Sequence, residues 1–274
     1  MAACLAAVAV GCGNETARAP VPTAYEWPDA FTYRVDEVAQ TEGDSLPVVR
    51  HEQSRQLRLV VGYDGAYSIW QDSVRLTDSS RGEAPAARPP LPEDTLRYFV
   101  RLSRWGEFLS EEPGCDPAVS ECQDARPSSL LMRLRRIIPK LPVWWPPRGH
   151  PWEDTLVIDD APRPRGRRGT LVTAYRAVRD TIVAGRAFWI VTSHSVWRSA
   201  IPESVAGGAN GVAEESAVVY VDKQRLVPVL AVWRGTRAEP LESPARGVAR
   251  ARIGGRAVLV GSVLDSPPFT QEAR

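Results

Sequence analysis

One stretch of helical periodicity lies in a chain that otherwise alternates as β-strands do. Within residues 126–159, apolar side chains recur at helical spacing on one face: Leu130, Leu131, Leu134, Ile137, Ile138 and Leu141. Ser128 or Ser129 can cap the helix, because a hydroxyl oxygen accepts an orphan backbone N–H. Pro139 ends it, since proline lacks a donor and clashes with the preceding turn. We therefore predict an amphipathic helix over about 128–138.

The other side of this helix is basic, with Arg133, Arg135, Arg136 and Lys140. Two interpretations follow. In the first, the apolar face packs on a sheet and the helix is part of the core. In the second, the basic face lies against anionic lipid head groups, as it does in membrane-surface helices.

The segments on both sides of the helix alternate with a period of two, as half-buried strands do. Phe31, Tyr33 and Val35 share one face, for example, while polar residues lie between them. Hairpin turns are predicted at residues 63–66, 183–186, 222–224 and 254–255. No βαβ alternation is present, so a parallel sheet is not expected. The predicted fold is mainly β: a curved antiparallel sheet, a half-barrel, wrapped on the central amphipathic helix.

The N-terminal sequence has the features of an export signal followed by a tether. Residues 1–12 are apolar and end in Ala-Val-Gly-Cys, which resembles a bacterial lipobox with Cys12 as the lipidated residue. Residues 13–24 are polar and contain proline, as a flexible tether does. We expect a single domain over 25–265 and a disordered tail over 266–274. The alternative for the first segment is a buried N-terminal helix.

Cys115 and Cys122 lie in a polar loop between acidic residues and prolines. In an oxidising compartment, this spacing favours a small disulfide loop. Two free thiols are the alternative. A zinc site would need two more soft ligands nearby, and none is visible, so no metal is expected.

Composition and motifs limit the classes of function. The 274 residues carry a formal net charge of +1, which argues against a nucleic-acid partner. The histidines His51, His150 and His194 belong to no H-E-x-x-H motif, and the chain has no G-x-S-x-G, P-loop or G-x-G-x-x-G sequence. We expect neither an enzyme nor a bound cofactor, although a hydrolase with an unrecognised site stays open.

Tryptophan is the outlier in composition, with nine residues. Trp144, Trp145 and Trp152 cluster after the helix. Aromatic side chains line many apolar ligand pockets, so we predict a ligand cavity between sheet and helix, lined by Trp189, Trp197, Trp233, Leu134 and Ile138. The alternative is that these tryptophans fill the core.

Several short motifs resemble a family of uncharacterised bacterial lipoproteins. They are the proline-flanked segment Ile138–Pro142, the element Gly149–Thr155, Tyr175 and the turn Gly185–Ala187. The order of elements is similar to that of lipoprotein carriers and lipid-binding lipoproteins, whose curved antiparallel sheet wraps a helix. That family has no established activity to carry over. From the residues themselves we expect a monomeric protein anchored to a membrane of the cell envelope by palmitate on Cys12. We also expect it to bind a lipid or another apolar ligand, with a structural or protein-interaction module as the alternative.

Overall fold

The computed structural model describes residues 24–43, 46–62, 66–80, 84–90, 97–114, 127–143, 149–159, 168–199, 213–240 and 248–262. Within these ranges the chain forms one helix, α1, Pro127–Ile137, and twelve strands. The strands are β1 Ala30–Gly43, β2 Leu46–Val61, β3 Tyr67–Ser80, β4 Ala86–Arg88, β5 Tyr98–Leu102, β6 Phe108–Pro113, β7 Pro151–Asp159, β8 Arg168–Val183, β9 Arg186–Ser199, β10 Ala213–Asp222, β11 Pro228–Pro240 and β12 Val248–Ser262.

The strands make one antiparallel sheet that is curved and does not close. Their spatial order is β6-β5-β3-β2-β1-β12-β11-β10-β9-β8-β7, with β4 beside β3. The first and last strands, β1 and β12, pair at the centre and join the two halves of the chain. The predicted fold class, a mainly β half-barrel with a central helix, is confirmed, and α1 lies within one residue of its predicted bounds.

Two of the predicted hairpin turns are present. Between β8 and β9, Ala184 and Gly185 both have positive φ, 48° and 77°, as a tight two-residue hairpin requires. Between β10 and β11, the Asp222 carboxylate accepts hydrogen bonds from the backbone N–H of Gln224 and Arg225. The predicted turn at 63–66 falls mostly outside the described residues.

The predicted turn at Gly254 and Gly255 is wrong, because β12 runs straight through both residues. Gly255 pairs with Trp233 on one side and with Glu37 on the other. A Cβ atom on Gly255 would lie 2.6 Å from Cζ2 of Trp233. The glycine is therefore needed for close approach of the indole ring, and not for a change of chain direction.

Helix α1 packs its apolar face on the concave, inner face of the sheet, as the first interpretation predicted. Leu134, Ile137 and Ile138 have no exposed surface and belong to one core cluster with Leu57 and Leu259 of the sheet. Full burial of each such side chain contributes about 1.5–3 kcal/mol. The helix is therefore an integral part of the core.

The interpretation that the basic face lies against lipid head groups is wrong. The side chains of Arg133, Arg135 and Arg136 are only 12%, 4% and 17% exposed. Each is paired with a carboxylate of the protein, because guanidinium groups leave water only where a partner replaces the lost hydration. The helix is therefore held to the sheet by ion pairs on both flanks of its apolar stripe.

On one flank, Arg136 bridges two strands. Its Nη1 lies 2.7 Å from Glu37 Oε1 on β1, and its Nη2 lies 2.5 Å from Glu215 Oε1 on β10. Arg133 Nε donates to the second oxygen of Glu37 at 3.2 Å. Burial alone would raise the pKa of Glu37, but the guanidinium groups of Arg133, Arg136 and Arg55 outweigh it and hold that pKa below its ordinary value.

On the other flank, Asp154 of β7 receives two cations. Arg135 Nη2 lies 2.6 Å from Asp154 Oδ2, and Lys140 Nζ lies 3.0 Å from Oδ1. Lys140 also binds Glu107 at 2.8 Å. Burial would lower the pKa of Lys140, but hydrogen bonds to Glu107 and Asp154 raise it above its ordinary value. These contacts tie the edge strand β7 to the helix.

Several predictions concern residues outside the described ranges. Cys12, Cys115 and Cys122 are among them, so lipidation and the disulfide stay predictions, and so are Trp144 and Trp145. Among the described residues, no helix is both long enough and apolar enough to cross a membrane.

Candidate functional site

The five residues predicted to line a ligand cavity lie in three different environments. Leu134, Ile138 and Trp233 are buried together in the main core. Trp197 belongs to a smaller cluster with Leu171 and Ala213. Trp189 is half-buried at the margin of the main core, against which it packs, and its ring lies 5.8 Å from Lys223 Nζ.

A cavity of about 170 Å³ does lie between helix and sheet, but none of these five residues borders it. Its walls carry Arg133, Arg136, Glu37 and Glu215, the ion pairs described above. The space beneath the helix is therefore polar and small, and the apolar part of the inner face is filled by the helix.

A larger groove, of about 590 Å³, lies on the opposite, outer face of the sheet. It crosses four neighbouring strands and takes three consecutive residues from each: 174–176 of β8, 192–194 of β9, 216–218 of β10 and 232–234 of β11. Pro151 of β7 borders one end. Because side chains alternate between the faces of a strand, the first and third residue of each triplet point outward.

Strand register arranges the outward side chains in two rows that run across the strands. The first row consists of mutual register partners: Ala174, His194, Ser216 and Arg234. The second row is formed in the same way: Arg176, Thr192, Val218 and Val232. Between the rows, the central residues of the triplets contribute only the floor, since Tyr175, Ala217 and Trp233 are buried on the helix side.

The groove exists because the side chains at its centre are short. Five of the eight row positions carry alanine, serine, threonine or valine: Ala174, Thr192, Ser216, Val218 and Val232. The other three are His194, Arg176 and Arg234. Val232 is 45% exposed. An exposed valine in a concave surface is a position at which an apolar ligand can bury further area.

The charges that border the groove are all basic. Arg176, Arg234 and, when protonated, His194 are cationic, and no acidic residue lines the groove. In the part of the chain that the structure describes, neither Arg176 nor Arg234 has a carboxylate partner. His194 Nδ1 lies 3.4 Å from Ser216 Oγ. The groove thus combines an apolar strip with guanidinium groups that are available to an anion.

Sequence reasoning missed this site because it considered only the inward face of these strands. His194 was noted, but the alignment of His194 with Ser216 and Arg234 depends on strand register, which the sequence did not give. The available signal was the outward position of arginine and valine on adjacent predicted strands.

No metal centre accompanies the groove within the described ranges, where no group of three or more His, Cys, Asp or Glu side chains could hold a metal ion.

Comparison with known proteins gives similarity of fold only. A scan against models of protein families finds no match, and a sequence search of curated proteins finds none either. The structure superposes on lipovitellin, in a study of its lipid–protein interactions, with a TM-score of 0.53 and 10% identity. That match covers 86% of this chain, which spans 25% of the length of lipovitellin.

Two bacterial structures are also similar over most of their length. A LolA superfamily protein from Nitrosomonas europaea is 9% identical over 90% of this chain and 93% of its own, with a TM-score of 0.18. A DUF1329 family protein from Desulfovibrio piger is 13% identical over 90% and 92%, with a TM-score of 0.19. These two scores are too low to carry an argument. The lipovitellin match supports a curved antiparallel sheet and nothing more specific.

Proposed function

We propose that this protein binds an amphipathic ligand, an apolar chain with an anionic head group, in the groove on the outer face of β8–β11. The observation that carries the proposal is the pairing of a valine strip with two arginines that have no carboxylate partner among the described residues. An unpaired guanidinium beside apolar surface suits a carboxylate or phosphate attached to a hydrocarbon chain.

The size of the groove is compatible with such a ligand. Its volume of about 590 Å³ lies within the range of about 300–1,000 Å³ that is usual for small-molecule sites. The groove is an open surface feature, so a long chain could project beyond it. The inner face offers less room, because α1 occupies it.

The proposed setting is the bacterial cell envelope, with the protein as a monomeric, non-catalytic lipoprotein anchored through Cys12. The sequence supports the anchor, through the lipobox-like Ala9–Cys12 and the polar tether that follows. Palmitate on Cys12 would hold the groove near a membrane, which is a source of amphipathic ligands.

Titration with 11-(dansylamino)undecanoic acid tests the groove. We expect saturable dansyl fluorescence, because the carboxylate binds an arginine while the chain leaves water. The double variant Arg176→Ala, Arg234→Ala should bind at least tenfold more weakly, a loss of about 1.4 kcal/mol, and added salt should weaken wild-type binding.

Arg50→Ala is the matched control. Arg50 is also an exposed strand arginine, with 54% of its side chain accessible, but it lies on β2 and pairs with Glu52. Its loss should leave binding unchanged. A folded wild-type protein without saturable binding, or a double variant that binds as wild type does, would overturn the proposal. The first result would favour a structural or protein-interaction module.

A further inference from the structure

Polarity changes along the strands of the outer face, and this gradient determines how an amphipathic ligand is oriented along them. Two residues beyond the second row, the outward positions form a third row of register partners: Ile190, Tyr220, Leu230 and Val258. All four are apolar or aromatic. Ile190 and Val258 are 5% and 3% exposed, and Tyr220 and Leu230 are partly buried and pack against the main core cluster.

The first row, at the other end, is polar where the third is apolar. Its adjacent members His194, Ser216 and Arg234 lie on three neighbouring strands, which are about 4.8 Å apart. An imidazole, a hydroxyl and a guanidinium therefore lie side by side. We call these three residues the polar corner.

The donors of the polar corner suit a phosphate better than a carboxylate. A phosphate monoester presents three terminal acceptor oxygens, and arginine can bind two of them through parallel N–H groups. The third oxygen can accept from Ser216 or from His194. A carboxylate has two oxygens and, if it binds Arg234 with both, has no third oxygen to accept from Ser216 or His194.

The tail path follows from the distance between the polar corner and the third row. Tyr220 lies four positions after Ser216 on β10, and Arg234 lies four positions after Leu230 on β11. This is about 13 Å at roughly 3.3 Å per residue. Val218 and Val232 lie between them, so the apolar strip continues without a charged side chain along both strands.

We propose that the groove selects a single-chain phosphate monoester, with the phosphate on His194, Ser216 and Arg234 and the acyl chain along β10 and β11 over Val218 and Val232 towards Tyr220 and Leu230. This rests on the proposed function and names the head group and the orientation of the ligand. Arg176 lies three strands from Arg234 and contributes to the general attraction of anions, not to the head-group contact.

Displacement of the dansyl probe from the full chain tests the inference. The competitors are lauroyl lysophosphatidic acid, laurate, lauroyl lysophosphatidylcholine and inorganic phosphate. We expect the phosphate monoester to displace the probe at a concentration at least tenfold lower than laurate. The choline ester should lose that advantage, and inorganic phosphate alone should need millimolar concentrations because it lacks the chain.

Ser216→Ala separates hydrogen bonding from net charge, because it removes a neutral donor and leaves both arginines in place. It should reduce the preference for the phosphate monoester over laurate to less than threefold, with laurate binding unchanged. Leu230→Ser should weaken displacement by all three competitors that carry an acyl chain, whereas Arg50→Ala should affect none of them.

Two results would overturn the inference but leave the proposed binding of an amphipathic anion in the groove intact. They are equal displacement by laurate and the phosphate monoester, or an unchanged preference for the phosphate monoester in Ser216→Ala. Displacement by inorganic phosphate as effective as that by the acylated form would overturn the tail path and indicate a site for free phosphate. If the probe itself does not bind, the proposed function fails together with this inference.

Discussion

The ion pairs of α1 should stabilise the folded protein, and Glu37 is the residue on which this stabilisation depends most. Its carboxylate receives Arg136 at 2.7 Å and Arg133 at 3.2 Å, and its side chain is 14% exposed. In Glu37→Gln, both guanidinium groups lose a buried anion. Removal of one partner of a buried ion pair costs about 3–5 kcal/mol, because the remaining charge is left without compensation.

For Glu37→Gln, the loss of unfolding free energy should lie near the lower end of that range. Arg136 keeps its ion pair with Glu215, and Arg133 keeps its hydrogen bond to the Gln71 side chain at 2.8 Å. We expect Glu37→Gln to lower the free energy of unfolding by about 3 kcal/mol. For a domain of this size the melting temperature should fall by roughly 6–12 °C. Urea unfolding followed by tryptophan fluorescence measures the free energy directly.

The pH dependence of the variant gives a second, independent readout. The pKa of Glu37 is lower in the folded protein than in the unfolded chain, so the ion pairs contribute fully above the unfolded pKa of about 4.3. That contribution is lost as the pH falls through the folded pKa. The difference in stability between wild type and Glu37→Gln should therefore shrink progressively below about pH 4.3.

Glu52→Gln is the control, because Glu52 pairs with Arg50 at 2.7 Å while both side chains are more than half exposed. Exposed ion pairs contribute little, so this variant should unfold as wild type does. A Glu37→Gln protein within about 0.5 kcal/mol of wild type at pH 7, inside the scatter of neutral surface substitutions, would refute the argument that these pairs fasten the helix.

Three further outcomes are expected. Leu134→Ala should cost about 2–5 kcal/mol of unfolding free energy, because Leu134 is fully buried; a loss near zero in urea unfolding would contradict the packed helix. Cys12→Ser should abolish incorporation of radiolabelled palmitate and release the protein from membranes, and unchanged labelling would exclude the anchor. Thiol counting on the unreduced, denatured protein should find Cys115 and Cys122 unreactive, with a disulfide contribution of roughly 2–3 kcal/mol at most, whereas two reactive thiols would rule out the bond.

Local periodicity was sufficient for the helix and for most strands. The apolar spacing of α1 and the alternation in β8–β11 are properties of neighbouring residues, and tertiary packing agrees with them. Gly254 and Gly255 misled because glycine has two uses in strands: it permits a turn, and it permits close approach of another group. The second use depends on Trp233, about twenty positions away in sequence and opposite only in the folded sheet.

The partners of the basic helix face could not be predicted for a related reason. Arg133 and Arg136 pair with Glu37, which is 96 and 99 positions away, and Arg136 with Glu215, 79 positions away. No local pattern marks a carboxylate as the partner of a distant arginine. The same holds for the groove, whose first row exists only because register places His194 beside Ser216 and Arg234.

Strand β11 connects the helix side of the sheet with the groove. Trp233 points inward, where Arg136 lies 5.8 Å from its ring and Gly255 leaves room for the indole, while its neighbours Val232 and Arg234 point outward into the groove. A slip of one residue in register would exchange these faces and place a guanidinium in the core. Gly255 opposes that slip, because it is the position across from Trp233 where a ring can lie against the backbone. The fit of Trp233 on Gly255 therefore stabilises the register that aligns the polar corner, so packing on the inner face determines what the outer face can bind.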